Sequence, residues 1–284
     1  MSSRPRYINI QGTLLDLSIP KVMGVINITP DSFYSGSRVT DEKNIIRTAV
    51  KMAEDGADIL DIGGYSSRPG ADDISVEEEK RRVLKAIRIV SREMPDKIIS
   101  VDTFRAEIAR EAISAGAHII NDISGGEADN NMFGYVEKMN VPYIMMHMQG
   151  NPRTMQKNPV YDDVVADILK WFGERIFRLQ SAGVKDIIID PGFGFGKTVD
   201  QSFEMLQRLG DFSVADLPLL VGISRKSLIW KTLNITPEEA LNGTSVLNAV
   251  ALLNGADILR VHDVREAVQA VRLIKEIKKS EKRE

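Results

Sequence analysis

Asp55-Gly56-Ala57-Asp58-Ile59-Leu60-Asp61 decides the fold once its repetition along the chain is seen. The phrase returns as Ala115-Gly116-Ala117-His118-Ile119-Ile120-Asn121-Asp122, as Ala182-Gly183-Val184-Lys185-Asp186-Ile187-Ile188-Ile189-Asp190, and as Asn254-Gly255-Ala256-Asp257-Ile258-Leu259-Arg260. Glycine after an amphipathic stretch stops a helix, because it enters the left-handed conformation at little cost. The short apolar run behind it reads as a buried parallel strand. Each run ends on a polar residue, and in an α/β barrel that end carries the chemistry.

Working outward, eight strand candidates recur: Val22–Ile28, Ile59–Ile62, Ile98–Val101, Ile119–Ile120, Tyr143–Met146, Ile187–Ile189, Leu219–Val221 and Ile258–Val261. Helical patterns lie between them. Ser75-Val76-Glu77-Glu78 predicts a capping box, with the Ser75 oxygen on the Glu78 N–H and the Glu78 carboxylate bonding back. Its helix has Val83, Ile87 and Val90 on one face and Lys80, Arg81, Arg82, Lys85 and Arg88 outward. Thr236-Pro237-Glu238-Glu239 predicts another helix start, with proline at the first helical position. Tyr161–Gln180 reads as a long amphipathic helix in which Trp171 packs, and Val264–Ile277 closes the series. Tyr7 to Leu17, turning at Gln11-Gly12-Thr13, predicts a hairpin ahead of the main fold. The expectation is one domain over residues 1–284, a TIM (β/α)8 barrel with a short N-terminal hairpin. An open doubly wound sheet is the alternative, but the glycine-rich fingerprint it needs after the first strand is missing.

Bulk composition narrows the function. The chain has 284 residues, 43% of them hydrophobic, which suffices for one large core. Its 37 basic and 40 acidic residues leave a net charge of −3, so no nucleic-acid or membrane partner is expected. The charged run Lys275–Glu284 reads as a solvated helix end. The start of the chain lacks a signal-peptide core, and no apolar run is long enough to span a bilayer, so the cytoplasm is the expected location. Absence of cysteine excludes disulfides, thiolate metal sites and Cys nucleophiles. With only three histidines, a zinc site is not expected either.

The polar strand-end candidates are Asn27, Asp61, Asp102, Asn121 or Asp122, His147, Asp190, Ser224 to Lys226, and Arg260 with His262. Asp and Asn also cap helices at such places. Lys and Arg do not suit that role, since a helix N-terminus favours anions. The cations point to an anionic ligand and the carboxylates to a ligand with N–H donors. Ser224-Arg225-Lys226-Ser227 and Arg260-Val261-His262-Asp263 follow the last two strands, where barrels often hold phosphate. Arg225 offers a planar fork there, Lys226 a point charge, and His262 shares the side of Arg260. Met145-Met146-His147-Met148 predicts an apolar wall for a flat ring. Gly196-Lys197-Thr198 resembles the end of a P-loop, but Pro191 stands where that motif's first glycine belongs. The alternate glycines from Gly192 instead predict a tight turn that lets a flat ligand lie against backbone, with Lys197 facing solvent. The loops Asn27–Ser37 and Gly63–Gly70 are long enough to act as lids. A polyphosphate substrate brings Mg2+, for which Asn27 is a candidate neutral ligand.

These motifs together resemble the dihydropteroate synthases: Asn27-Ile28-Thr29-Pro30-Asp31-Ser32-Phe33, Asp61-Ile62-Gly63-Gly64 through Arg68-Pro69-Gly70, Val101-Asp102-Thr103, Asn121-Asp122-Ile123-Ser124-Gly125, Met146-His147-Met148-Gln149-Gly150, Asp190 to Lys197, Ser224-Arg225-Lys226-Ser227 and Arg260-Val261-His262-Asp263. The resemblance runs from Val22 to the last helix. It implies an enzyme that joins p-aminobenzoate to hydroxymethyl-dihydropterin pyrophosphate, giving dihydropteroate and pyrophosphate. It implies pterin contacts at Asp102, Asn121, Asp190 and Lys226, with Met145 and Phe195 also in the substrate pocket. It implies an Mg2+ ligand at Asn27 and pyrophosphate contacts at Ser67, Arg260 and His262. Phe33, Arg68, Pro69 and Ser227 are the implied surroundings of p-aminobenzoate, and a homodimer is the implied assembly. Asp102, Lys226, Arg260 and His262 are the groups placed nearest the chemistry, expected to be an SN1-like displacement. Tyr65 stands where this family usually has Glu, and Ser67 where it usually has Thr. A corrinoid-linked methyltransferase would keep the pterin carboxylates without the Ser224–Lys226 and Arg260/His262 cluster and the Phe33 and Arg68 loops. A non-catalytic pterin-binding protein would bind pterin without releasing pyrophosphate.

Overall fold

The glycines of the repeated phrase all sit at positive φ, at +102° for Gly56, +114° for Gly116, +90° for Gly183 and +101° for Gly255. Each ends a helix and turns the chain into a strand. In the computed structural model, which describes residues 7–28, 38–65, 74–150, 155 and 159–280, the turns deliver parallel strands side by side. The strands are β1 (Tyr7–Ile10), β2 (Thr13–Asp16), β3 (Lys21–Asn27), β4 (Ile59–Gly63), β5 (Ile98–Asp102), β6 (Ile119–Asp122), β7 (Tyr143–Met146), β8 (Ile187–Asp190), β9 (Leu220–Val221) and β10 (Ile258–Val261). The helices are α1 (Arg38–Glu54), α2 (Val76–Glu93), α3 (Ala106–Ser114), α4 (Met132–Met139), α5 (Val164–Ser181), α6 (Val199–Gln207), α7 (Ser227–Leu233), α8 (Leu241–Leu253) and α9 (Val264–Ser280), with a 3-10 turn at Leu209–Ala215. β3 to β10 form one sheet in the order β8-β7-β6-β5-β4-β3-β10-β9, and the bridge Ile189 to Leu219 joins β8 to β9. The result is a (β/α)8 barrel, and β1 and β2 form the separate antiparallel hairpin. Among the described residues, no helix is long and apolar enough to cross a membrane.

The polar residue just before each strand of the repeat has a shared task. Asp58 Oδ2 accepts the Val22 N–H at 2.9 Å, His118 Nδ1 the Ile99 N–H at 3.1 Å, and Asp257 Oδ2 the Leu219 N–H at 2.9 Å. Each satisfies a backbone donor at the start of a neighbouring strand, where the ladder has no partner for it. Asp186 Oδ1 does the same for the hairpin, accepting the Asn9 N–H at 2.9 Å.

Side chains alternate along each strand, so residues two apart face the same side. At the barrel floor the inward residues are Met23, Ile59, Ile119, Ile144, Ile188, Leu220 and Ile258, and the hairpin closes over them with Ile8, Ile10 and Leu17. One step higher the inward positions become Asp61, Asn121, Met146, Asp190 and Arg260. Outward-facing residues such as Leu60, Ile120, Ile189 and Leu259 build the main core under the helices.

Two helix starts differ from the sequence reading. Ser75 caps α2 by accepting the Glu78 N–H, but the Glu78 carboxylate binds Arg81 and Arg82 instead of reaching back. Thr236–Glu239 is a turn, and α8 begins at Leu241. The carbonyls of Pro237 and Glu238 are taken by Arg225 Nη1, at 2.9 and 2.7 Å, which holds that turn apart from the helix. A complete capping box is formed by Thr198, the N-cap of α6, and Gln201.

Candidate active site

Asp61, on β4, is fully buried. Its Oδ2 accepts from Arg260 Nε at 2.6 Å and from Asn121 Nδ2 at 3.0 Å. Arg260 Nη2 donates to Asp102 Oδ2 at 2.6 Å. Thus β4, β5, β6 and β10 each send one inward side chain into a single cluster. Although burial opposes the charge of Arg260, Asp61 and Asp102 raise its pKa further above the ordinary value. Burial pushes Asp102 up to about 7, with the charge of Arg260 opposing and that of Asp61 adding.

Across the barrel, Asp190 ends β8 and accepts the Gly192 N–H at 2.8 Å. Burial raises its pKa, and Lys226 opposes that rise. Lys226 Nζ donates to the Phe193 carbonyl at 2.7 Å and lies 4.5 Å from the Phe195 ring centre, within cation–π range. Burial lowers Lys226 to about 8, against the attraction of Asp190. Phe195 packs with Ile123, Met146, Met148, Met155 and Phe104 in an apolar cluster above the polar layer. A flat, polar-edged ring system matches such a mixture of acceptors, cations and apolar wall.

Strand alternation sends Asn121 and Asp122 to opposite sides of the sheet. Asn121 faces inward, whereas Asp122 accepts from Ser124 N and Oγ, Gly126 N and the Tyr143 hydroxyl, and ties down a loop. Met145 is corrected by the same alternation: it points outward into the main core, and the inward methionine is Met146. Arg225 is also no phosphate fork. At φ +55° its guanidinium forms a two-pronged pair with Asp263, at 2.8 Å on each prong, and ties the β9–α7 loop. Ser224 Oγ lies 3.1 Å from His262 Nδ1, His262 is exposed, and Ser227 opens α7 directly after Lys226. Asn27 ends β3 with its side chain exposed. Phe33, Ser67, Arg68 and Pro69 lie outside the described residues.

Lys197 does not face solvent. Its side chain is buried, and Nζ donates to the His147 carbonyl at 2.9 Å and lies within hydrogen-bond distance, 2.8 Å, of His147 Nδ1. Burial lowers the pKa of Lys197 well below the usual range, and burial with the Lys197 charge lowers that of His147 to about 2. His147 is therefore neutral. Trp171 packs edge-on to His147 at 4.9 Å, as its packing role predicts.

A parallel barrel with carboxylates, an amide, Arg and Lys converging at the strand C-termini defines an enzyme of the pterin-binding class: the model of the pterin-binding enzyme family matches residues 23–262. The dihydropteroate synthase of Escherichia coli K12 is 45% identical over 266 residues, 93% of this chain and 94% of that protein. A Yersinia pestis dihydropteroate synthase in complex with a sulfonamide drug superposes with a TM-score of 0.90 at 38% identity, covering 96% of this chain and 99% of that one. A Xanthomonas albilineans dihydropteroate synthase with 4-aminobenzoic acid gives a TM-score of 0.89 at 38% identity, covering 96% and 98%. The chain belongs to the dihydropteroate synthase family.

Proposed function

We propose that the inner polar layer catalyses the dihydropteroate synthase reaction by an SN1-like displacement. The observation that carries this reading is the pairing of acceptors with cations at one level of the barrel: Asp61, Asp102, Asn121 and Asp190 around Arg260 and Lys226. Asp190 and Asn121 accept N–H donors of the pterin's amino-pyrimidine edge, and Lys226 and Phe195 border the ring. The methylene C–O bond to pyrophosphate breaks, and its electron pair leaves with the pyrophosphate. Arg260 and His262 stabilise that leaving anion, a role that the family resemblance extends to Ser67. Asp102 stabilises the cationic character left on the pterin. The amine nitrogen of p-aminobenzoate, held by Phe33, Arg68, Pro69 and the Ser227 helix start, then forms the C–N bond and loses a proton to solvent. No side-chain nucleophile takes part.

The donor set fits Mg2+ as this chemistry needs it. Asn27 supplies one neutral oxygen at an exposed strand end, which leaves most coordination positions to phosphate and water. When bound, Mg2+ neutralises charge on the pyrophosphate. A homodimer is supported by α8, which buries Thr244 and Asn248 and leaves Val246 and Leu253 exposed. Light scattering on the purified protein checks this, and a monomeric mass at working concentration refutes it. A cytoplasmic location accords with the folate-pathway transferases of the family.

The decisive assay mixes protein, Mg2+, pterin pyrophosphate and p-aminobenzoate and follows pyrophosphate. Release that requires both substrates is expected, and its absence would defeat the reading. Kinetic isotope effects at the methylene carbon test the mechanism: a large carbon effect indicates an associative displacement and rules out the SN1-like course.

A further inference from the structure

Asp61 is the carboxylate of the inner layer to which the reaction above gives no contact with the substrate. It is fully buried, one oxygen accepts two hydrogen bonds, and Oδ1 has no hydrogen-bond partner among the described residues. Burying a carboxylate with an unsatisfied oxygen is costly, so stability does not explain it. What it touches does. Asn121 can present only its NH2 to a carboxylate, since its own oxygen would be repelled. With Nδ2 bound to Asp61, the Asn121 Oδ1 is turned away from Asp61, and it has no hydrogen bond to the described protein. Arg260 is likewise held at two points, Nε by Asp61 and Nη2 by Asp102, which fixes the plane of its guanidinium.

We propose that Asp61 is a positioning residue for substrate recognition: it locks the Asn121 amide with its oxygen toward the pterin and fixes the Arg260 plane beside it. The substrate edge facing Asn121 must then offer an N–H donor. Released from Asp61, the amide turns over freely and presents donor or acceptor alike. This inference rests on the reading of Asn121 and Arg260 as substrate contacts.

A double-mutant cycle tests it with Asp61→Asn, Asn121→Ala and both together, assayed by calorimetric binding of pterin pyrophosphate and by steady-state kinetics. Asp61→Asn should weaken pterin-pyrophosphate binding about tenfold and leave the KM of p-aminobenzoate within about twofold. The double variant should lose much less than the product of the single losses, because Asp61 acts through Asn121. Asp61→Ser, which leaves room for a water between the two donors, runs in parallel, and thermal melting restricts comparison to folded variants. Multiplicative losses, or an equal rise in both KM values, would overturn the inference. Unchanged binding in Asn121→Ala would instead overturn the reading of Asn121 as a contact.

Discussion

A lysine buried without a carboxylate partner must find its hydrogen bonds elsewhere, and Lys197 finds them on one residue, His147. The two hydrogen bonds join the loop after β7 to the loop after β8. Lys197→Ala removes both and opens a cavity where the aliphatic stem lay. A stability loss of about 2–4 kcal/mol is expected in urea unfolding. The second lysine, Lys226, behaves differently because it borders the proposed substrate. Burial lowers it to about 8, so its charge in the free enzyme disappears as pH rises through that value. The kcat/KM for pterin pyrophosphate should therefore fall above about pH 8. Lys226→Arg stays charged at alkaline pH and should abolish that limb, even at lower overall activity. A limb unchanged in the arginine variant would assign it to another group.

At the scale of elements, the β8–α6 connection shows how a turn places a site. Gly192 has φ +73°, and a Cβ there would lie 2.0 Å from the His147 carbonyl oxygen. The same turn gives its N–H to Asp190 and its Phe193 carbonyl to Lys226. Gly192→Ala should cost more than about 3 kcal/mol in thermal or chemical unfolding and abolish pterin binding. The alternate glycines in the sequence made this turn legible, and the repeat made the helix stops legible. The true start of α8 was not, because Arg225, outside the local helix pattern, captures the Pro237 and Glu238 carbonyls.

For the whole molecule, the barrel is filled in layers. The hairpin β1–β2 plugs the floor, where Ile8, Ile10 and Leu17 cover Met23, Ile59 and Ile258. Ile8→Ala should cost about 2–5 kcal/mol by denaturant unfolding, with Asp190 and Lys226 left in place at the opposite end. Full stability in that variant would mean that the hairpin is no plug.

Local patterns in the sequence determined the eight strands, their parallel order, the hairpin and the polar rank at the strand ends. Period-two alternation and glycine stops are properties of neighbouring residues, so they survive in the linear chain. Which polar residues meet was decided only by closure of the barrel. Arg260 and Asp61 are 199 residues apart, Arg260 and Asp102 158, and Lys197 and His147 50. Strand residues one place along point to opposite sides of the sheet, which separated Asn121 from Asp122 and Met146 from Met145. Arg225 and Lys197 went to structural duty because a charge takes the nearest hydrogen-bonding partner that three-dimensional packing supplies, and sequence spacing does not encode that partner.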